Sequence, residues 1–92
     1  MQVGAGETVD CTATNVSTRT VTNIRITIRN FAGDPATPAT LCQSKEPFAS
    51  CAGGYSPGVN GHLFCEVTSD QGAKGLRATL LNLDTGASSD AR

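Results

Sequence analysis

Large aromatic side chains are almost absent from this chain. Its 92 residues include no tryptophan, one tyrosine and three phenylalanines, together with one methionine and one histidine. Ordering a chain of this length costs on the order of 140 kcal/mol at about 1.5 kcal/mol per residue, so a small core of light side chains leaves little net stability. The length therefore predicts a single domain, and the composition predicts one that needs covalent cross-links.

A strong charge and a long apolar run are also missing. Seven basic and eight acidic residues give a net charge of -1, so no long-range field would draw the protein to DNA, RNA or an anionic membrane. No run of about eighteen apolar residues occurs, and we therefore expect no membrane span. Met1 directly precedes a domain-like segment, so we expect that a secretion signal has been removed; if Met1 is instead the natural start, the prediction of secretion loses support.

Four cysteines can supply the cross-links. Cys11 and Cys65 each occupy the apolar phase of an alternating segment, so both thiols should point into a core. Cys42 and Cys51 bracket a short turn-like stretch. Of the three possible pairings, the nested scheme is favoured, and its bonds would stabilise by roughly 4 and roughly 3 kcal/mol in the chain-entropy model. The expected Cys42–Cys51 bond would stiffen a surface loop.

The four cysteines have two alternatives to disulfide bonding. A zinc site is disfavoured, because the spacings contain no C-x-x-C pair and His62 is the only histidine. Four reduced cysteines in the core of a cytosolic protein remain the alternative to disulfides. The oxidised form makes an extracellular or cell-surface location the leading prediction.

Alternating apolar and polar residues predict strands and no helix. The clearest alternation lies in residues 20–30, where three isoleucines point inward and two arginines and a threonine point outward. Residues 1–85 should form one small antiparallel β-sandwich of six or seven strands, and 86–92 a flexible, polar tail. The other predicted strands are 7–15, 41–43, 48–52, 61–68 and 74–83, with a loop over 31–40, turn residues over 53–58 and a hairpin turn over 69–72.

Several short motifs resemble the immunoglobulin-like modules of bacterial secreted and surface proteins, including the CARDB and fibronectin type III types. The run Gly6-Glu7-Thr8-Val9 leads into a strand that ends at Asn15, and Ser56-Pro57-Gly58 precedes the strand at Leu63. The likeness covers most of the chain, although the core tryptophan of antibody domains is missing. It implies a noncatalytic module for adhesion, spacing or assembly, acting through a protein partner or self-association.

A candidate interaction face follows from the strand pattern. If residues 20–30, 61–68 and 74–83 are three neighbouring strands of one sheet, their outward side chains share one surface. An apolar patch rimmed by arginine suits a protein–protein contact, whereas a solvated ladder of ion pairs is the alternative. The candidate residues are Arg25, Arg29, Phe64, Glu66, Arg77 and Leu81.

Two alternative binding functions are weaker. Lys45 lies in the Cys42–Cys51 loop and is expected near its apex, as in the rigid loops that some inhibitors present to trypsin-like proteases. Carbohydrate binding usually needs exposed aromatic rings, and some of the four aromatic residues of this chain are expected in the core instead.

Catalytic, metal and glycosylation signals are slight. We expect no enzyme activity, because His62 is the sole histidine and no G-x-S-x-G motif occurs. No cofactor or metal is expected either: Asp34, Asp70 and Asp84 lie in turns without a D-x-D-x-D-G loop, and aspartate is common in turns. Asn15-Val16-Ser17 matches a glycosylation sequon.

Overall fold

The regular elements of this protein are all β-strands in the computed structural model, which describes residues 1–72 and 74–90. Two antiparallel four-stranded sheets pack face to face, with the strand orders β1-β6-β3-β4 and β5-β2-β7-β8. We call them the β3 sheet and the β2 sheet. The strands are β1 (Gln2–Val3), β2 (Val9–Asn15), β3 (Val21–Asn30), β4 (Thr40–Lys45), β5 (Ser50–Tyr55), β6 (Gly61–Thr68), β7 (Leu76–Asn82) and β8 (Ser88–Asp90). The predicted all-β sandwich is confirmed.

The core between the sheets is aliphatic. Period-two alternation turns every second side chain of β2, β3 and β6 inward, and the predicted burial of Ile24, Ile26 and Ile28 is confirmed. No aromatic ring belongs to the buried set of the described residues. Its members are Val3, Val9, Cys11, Ala13, Val21, Ile24, Ile26, Ile28, Cys51, Leu63, Cys65, Val67 and Leu80.

Both disulfides join one sheet to the other. Cys11 on β2 is bonded to Cys65 on β6, with the Cα atoms 6.2 Å apart, and Cys42 on β4 is bonded to Cys51 on β5, with the Cα atoms 6.6 Å apart. The nested pairing is therefore confirmed. The expectation that the second bond only stiffens a surface loop was wrong, because β4 and β5 are edge strands of opposite sheets.

The sheets approach each other closely beside the Cys42–Cys51 bond. Gly53 on β5 faces Thr40 on β4, and a Cβ atom added at Gly53 would lie only 3.0 Å from the Thr40 Cβ. That contact is tighter than nine in ten real Cβ contacts, and the added atom would also overlap Thr40 Oγ1. Glycine at this position therefore allows the two edge strands to come within reach of the disulfide.

A buried asparagine closes each end of the core. Asn15 ends β2 and Asn82 ends β7, and because these two strands are antiparallel, the residues lie at opposite ends of the sandwich. We call them the Asn15 end and the Asn82 end. Both side chains are buried, and each one is held by hydrogen bonds to the neighbouring turns, as buried polar groups require.

The two asparagine side chains form hydrogen bonds mainly with the backbone of the loops, and Asn82 Nδ2 also donates to Glu7 Oε1 at 3.1 Å. Asn15 Nδ2 donates to the carbonyl oxygens of Arg19 and Lys45 at 2.7 and 2.9 Å, and its Oδ1 accepts from the Ser17 N–H and hydroxyl at 2.9 and 2.6 Å. Asn82 Oδ1 accepts from the two backbone N–H groups that follow Leu83. Each amide thus ties loop segments to the end of the core.

The predicted hairpin turn and the predicted C-terminal tail differ from the structure. The expected hairpin over 69–72 was wrong, because β6 lies in the β3 sheet and β7 in the β2 sheet; the chain crosses the sandwich there. The predicted tail over 86–92 contains a further strand, β8, which pairs with β7, and 91–92 lie outside the described residues. The described part of the chain therefore has eight strands rather than six or seven.

The strand order agrees in part with the immunoglobulin constant-type order. That order pairs the second strand with the fifth and the third with the sixth, as β2 with β5 and β3 with β6 do here. However, β1 pairs with β6, β4 pairs with β3 and β7 pairs with β2, so the first, fourth and seventh strands each lie in the opposite sheet from their immunoglobulin counterparts. Membership of the immunoglobulin-like modules stays a prediction.

Candidate functional site

The outer surface of the β3 sheet carries four of the six predicted interaction residues. Arg25 and Arg29 on β3 and Phe64 and Glu66 on β6 all occupy outward positions of their strands. In the register, Arg29 pairs with Phe64 and Thr27 pairs with Glu66. Glu66 is therefore diagonal to both arginines. We call the surface formed by Arg25, Arg29, Leu41, Phe64 and Glu66 the Arg29 face.

Arg29 is fixed in place by two groups. Its Nη2 lies 3.1 Å from Glu66 Oε1 in an ion pair, and its Nη1 donates to the Gly33 carbonyl oxygen at 2.9 Å. Ion pairs this accessible to solvent contribute about 0 to 1 kcal/mol to folding. The pair therefore orients a guanidinium on the surface more than it stabilises the fold.

Leu41 completes the Arg29 face, although the sequence pattern did not predict it as an interaction residue. It pairs with Arg25 across β3 and β4, and 67% of its side chain is exposed. The single available signal was the alternation of β4, which places Leu41 opposite in phase to Cys42. An exposed leucine beside an exposed arginine gives this face the apolar and cationic character typical of protein interfaces.

Arg77 and Leu81 do not belong to the Arg29 face. Both lie on β7, in the other sheet, where Arg77 pairs with Thr14 and Leu81 with Asp10. Alternation fixes which side of its own sheet a residue faces, but it carries no information on the neighbouring strand. The prediction of a six-residue face was therefore wrong in including Arg77 and Leu81.

An apolar groove of about 570 Å³ opens at the Asn82 end. Phe31 stands at its rim with 84% of its side chain exposed, and its ring meets the His62 ring edge to face with centroids 6.0 Å apart. Tyr55 and Val59 line the same groove. We call it the end groove; its remaining lining residues are Asn30, Ala32, Pro35, Ala36, Pro57, Asn60, Gly61 and Leu63.

The Met1 amine lies beside the end groove. It donates to the Leu63 carbonyl oxygen at 2.8 Å and lies 3.0 Å from His62 Nε2. Partial burial lowers the pKa of this amine below its usual value. The amine holds β6 at its first residues and thereby helps to set the position of the His62 ring.

A tight turn projects from the Asn15 end. The Ala49 N–H donates to the Glu46 carbonyl oxygen at 3.0 Å, with Pro47 second and Phe48 third in the turn, the arrangement of a type II turn. Phe48 has a φ of 66°, a region in which a side chain other than glycine costs roughly 1 to 2 kcal/mol. We call this segment the Phe48 turn.

Several bonds hold the Phe48 turn against the Asn15 end. The Phe48 N–H donates to the Asn15 carbonyl oxygen at 2.6 Å, and the Asn15 N–H donates to the Ala49 carbonyl oxygen at 3.0 Å. The Asn15 side chain holds the Lys45 carbonyl oxygen on the preceding strand. The Cys42–Cys51 disulfide lies just behind the turn, so the turn is anchored covalently as well.

The expected protease-inhibitor geometry is absent from this segment. Lys45 is the last residue of β4 and is half-buried, so it does not occupy the loop apex. Pro47 and Phe48 occupy the apex, and 79% of the Phe48 side chain is exposed. An exposed phenylalanine presents no cation to a trypsin-like pocket.

The aromatic residues are distributed differently from the sequence expectation. Phe31 and Phe48 are exposed, and Tyr55 and Phe64 are half-buried. None of the four rings is among the buried core residues, but Tyr55 is partly buried and packs against them. The expectation that some rings serve the core therefore holds only for Tyr55. Exposed rings are therefore available for binding at the end groove and on the Phe48 turn, and the half-buried Phe64 ring contributes to the Arg29 face.

The turn carboxylates have structural partners. Asp70 Oδ2 accepts from Thr22 Oγ1 and Asn23 Nδ2 at 3.1 and 2.6 Å, and Asp84 Oδ2 accepts from the Thr8 N–H at 2.6 Å. Among the described residues, no three histidine, cysteine, aspartate or glutamate side chains are grouped so that they could hold a metal ion. Nor does this part of the chain contain a helix long and apolar enough to cross a membrane.

Comparison with known proteins gives no match to this chain. No protein-family model, no curated protein and no solved structure is similar to it at a significant level. The functional argument therefore depends on the geometry of the Arg29 face, the end groove and the Phe48 turn.

Proposed function

We propose that this protein is a noncatalytic interaction module that works outside the cell or at its surface and binds a protein partner through the Arg29 face. The observation that carries the proposal is the exposed Leu41 beside Arg25, next to an arginine fixed by Glu66 and Gly33. Arginine and large apolar side chains are the groups that contribute most to binding at protein interfaces.

The strands of the β3 sheet pre-order this face. Leu41, Arg25 and Phe64 lie on three hydrogen-bonded strands, β4, β3 and β6, so little backbone entropy is lost when a partner binds. Two guanidinium groups and one carboxylate give the face a net positive charge. A fitting partner presents an apolar pocket bordered by carboxylates.

The two disulfides support the extracellular part of the proposal. Disulfides persist in oxidising compartments and are rare in the cytosol, and both bonds here join the two sheets of the fold. Counting thiols by mass spectrometry in protein isolated from its native compartment tests this part. Two intact disulfides support it, and four free thiols would contradict it.

Site-specific photocrosslinking tests the binding face. A benzoylphenylalanine replaces Leu41 in one variant and Arg77, an exposed residue on the other sheet, in the matched control. After irradiation in the native extracellular fraction, we expect one discrete protein adduct from position 41 and none from position 77. Equal adducts from both positions, or none from either, would refute the assignment of this face.

A charge reversal adds a quantitative check once the adduct is identified. Arg25→Glu should weaken binding of that partner about 10-fold or more, because a like charge replaces an attraction at the interface. Arg77→Glu carries the same charge change on the other sheet and should leave the dissociation constant unchanged. Identical effects of the two substitutions would show that net charge, and not the Arg29 face, controls binding.

A further inference from the structure

The Phe48 turn and the end groove lie at opposite ends of the sandwich. The turn follows β4 and precedes β5 at the Asn15 end, whereas the groove is lined by residues at the end of β3, the end of β5 and the start of β6. We propose that the protein associates head to tail with copies of itself, with the Phe48 turn of one molecule inserted into the end groove of the next. This contact does not involve the Arg29 face.

The conformation of Phe48 is the first argument. Its backbone lies in the left-handed region, where glycine is the favoured residue, and its ring is almost fully exposed. Within its own molecule the ring therefore brings strain and very little packing. A bulky residue kept in a strained position on the surface indicates a use outside the molecule.

The rigidity of the turn is the second argument. Backbone hydrogen bonds to Asn15 hold Phe48 and Ala49, and the Cys42–Cys51 disulfide closes the segment behind them. An aromatic side chain on a segment that is already ordered loses little entropy on binding. These are the properties of an anchor residue at an interface.

The end groove has the character that such an anchor requires. Phe31, Tyr55 and Val59 give it apolar walls, and its volume of about 570 Å³ is large enough to receive an aromatic side chain. His62 is the only titratable side chain among its described lining residues except for the Tyr55 phenol. In the described part of the chain no carboxylate lines the groove, so the exposed Glu46 beside the turn would meet no like charge there.

The small cross-section of each end limits the surface area that the contact can bury. Perpendicular to its long axis of 39 Å the molecule measures 24 × 16 Å. The cross-section of one end is therefore about 380 Å², smaller than the ~800 Å² per partner that a standard stable interface buries. The association is therefore weak and depends on concentration. Because the two contacting surfaces differ and lie at opposite ends, addition does not stop at a dimer.

Sedimentation equilibrium of the oxidised protein from about 10 μM to about 1 mM tests the proposal, since weak contacts of this size fall in that range. We expect the weight-average mass to rise with concentration past that of a dimer. A mass that stays at one chain over the whole range would overturn the proposal. Saturation at a dimer would also overturn it, because it indicates a symmetric contact.

Two substitutions separate the two surfaces. Phe48→Gly removes the ring and relieves the strained φ, so we expect a higher melting temperature together with loss of association. Val59→Asp places a charge in the end groove at an exposed position and should also abolish association. Leu83→Asp is the matched control, because Leu83 is exposed near the Asn82 end without lining the groove, and it should associate like the parent protein.

Mixing the variants gives the sharpest outcome. Phe48→Gly keeps an intact groove and Val59→Asp keeps an intact turn, so an equimolar mixture should form dimers that cannot grow. No dimer in the mixture, or unchanged association of Phe48→Gly alone, would overturn the pairing of turn and groove. Glycan binding that Tyr55→Ala abolishes, in a protein that stays monomeric, would instead assign the groove to carbohydrate.

Discussion

Replacing Asn15 by alanine tests the role of the buried amide at one end of the core. The side chain is completely buried and takes part in four hydrogen bonds, two from its Nδ2 and two to its Oδ1. Each such bond contributes about 1 kcal/mol net, and a buried group left without a partner costs about 1 to 3 kcal/mol. When Asn15 Oδ1 is removed, the single proton of the Ser17 hydroxyl is free to turn to the Arg19 carbonyl oxygen, 2.9 Å away. One acceptor therefore keeps a partner, and we expect a loss of about 3 to 4 kcal/mol.

That loss is large compared with the whole stability of the domain. A chain of 92 residues typically unfolds with a free energy of about 5 to 14 kcal/mol. Urea unfolding with the disulfides intact should therefore show a lower midpoint for Asn15→Ala and an unchanged m value. The matched control is Asn60→Ala, which removes one exposed hydrogen bond to the Ala5 N–H and should cost less than about 1 kcal/mol.

Asn15→Asp sharpens the same test. Aspartate keeps the two acceptor positions but turns an oxygen toward the carbonyls of Arg19 and Lys45, where Nδ2 now donates. Burial and these carbonyls would raise the pKa of the new carboxyl above its unfolded value, so its ionisation would destabilise the fold increasingly as pH rises. We expect this variant to lose more stability at pH ~7 than at pH ~4. A cost of Asn15→Ala below about 1 kcal/mol, or an Asn15→Asp deficit that does not depend on pH, would refute the assigned role.

Three further outcomes follow from the same structure. Gly53→Ala should lower the free energy of unfolding by about 1 to 3 kcal/mol, because the new methyl group overpacks against Thr40. Adding Thr40→Ala should recover part of that loss. Unchanged stability of Gly53→Ala in urea unfolding would contradict the close approach of β4 and β5. Replacing Cys42 and Cys51 together by alanine should cost about 3 kcal/mol in the chain-entropy model, seen as a lower melting temperature. Asn15 should carry no glycan on folded protein secreted from a eukaryotic host, because its Nδ2 is buried; a mass increase at this sequon would refute that.

Local patterns were sufficient to predict much of the fold. The alternation around Ile24, Ile26 and Ile28 fixed the inward side of β3, and the same period placed Cys65 in the core beside Leu63 and Val67. These signals depend only on residues that are close in sequence. The strand bounds Val21–Asn30 and Gly61–Thr68 accordingly lie within one residue of the predicted ones.

Properties that depend on distant partners could not be predicted. The alternation of β7 is equally compatible with either sheet, so Arg77 was assigned to the wrong surface. A run of Glu-Pro-Phe-Ala indicates a turn, but no rule for phenylalanine predicts the positive φ of Phe48. Asn15 was recognised only as the end of a strand and part of a sequon, since its role depends on Lys45, thirty positions away in the chain.

The two disulfides and the exposed aromatic rings have a common physical explanation. In a domain of this size, buried aromatic rings usually supply much of the apolar area that holds two sheets together. Here aliphatic side chains fill the core, and the two sheets are joined by one disulfide between inner strands and a second between edge strands. These bonds limit the entropy of the unfolded chain, so the fold is stable without buried aromatic rings in its core. Phe31, Phe48 and Phe64 can therefore occupy surfaces, where they serve contacts with other molecules.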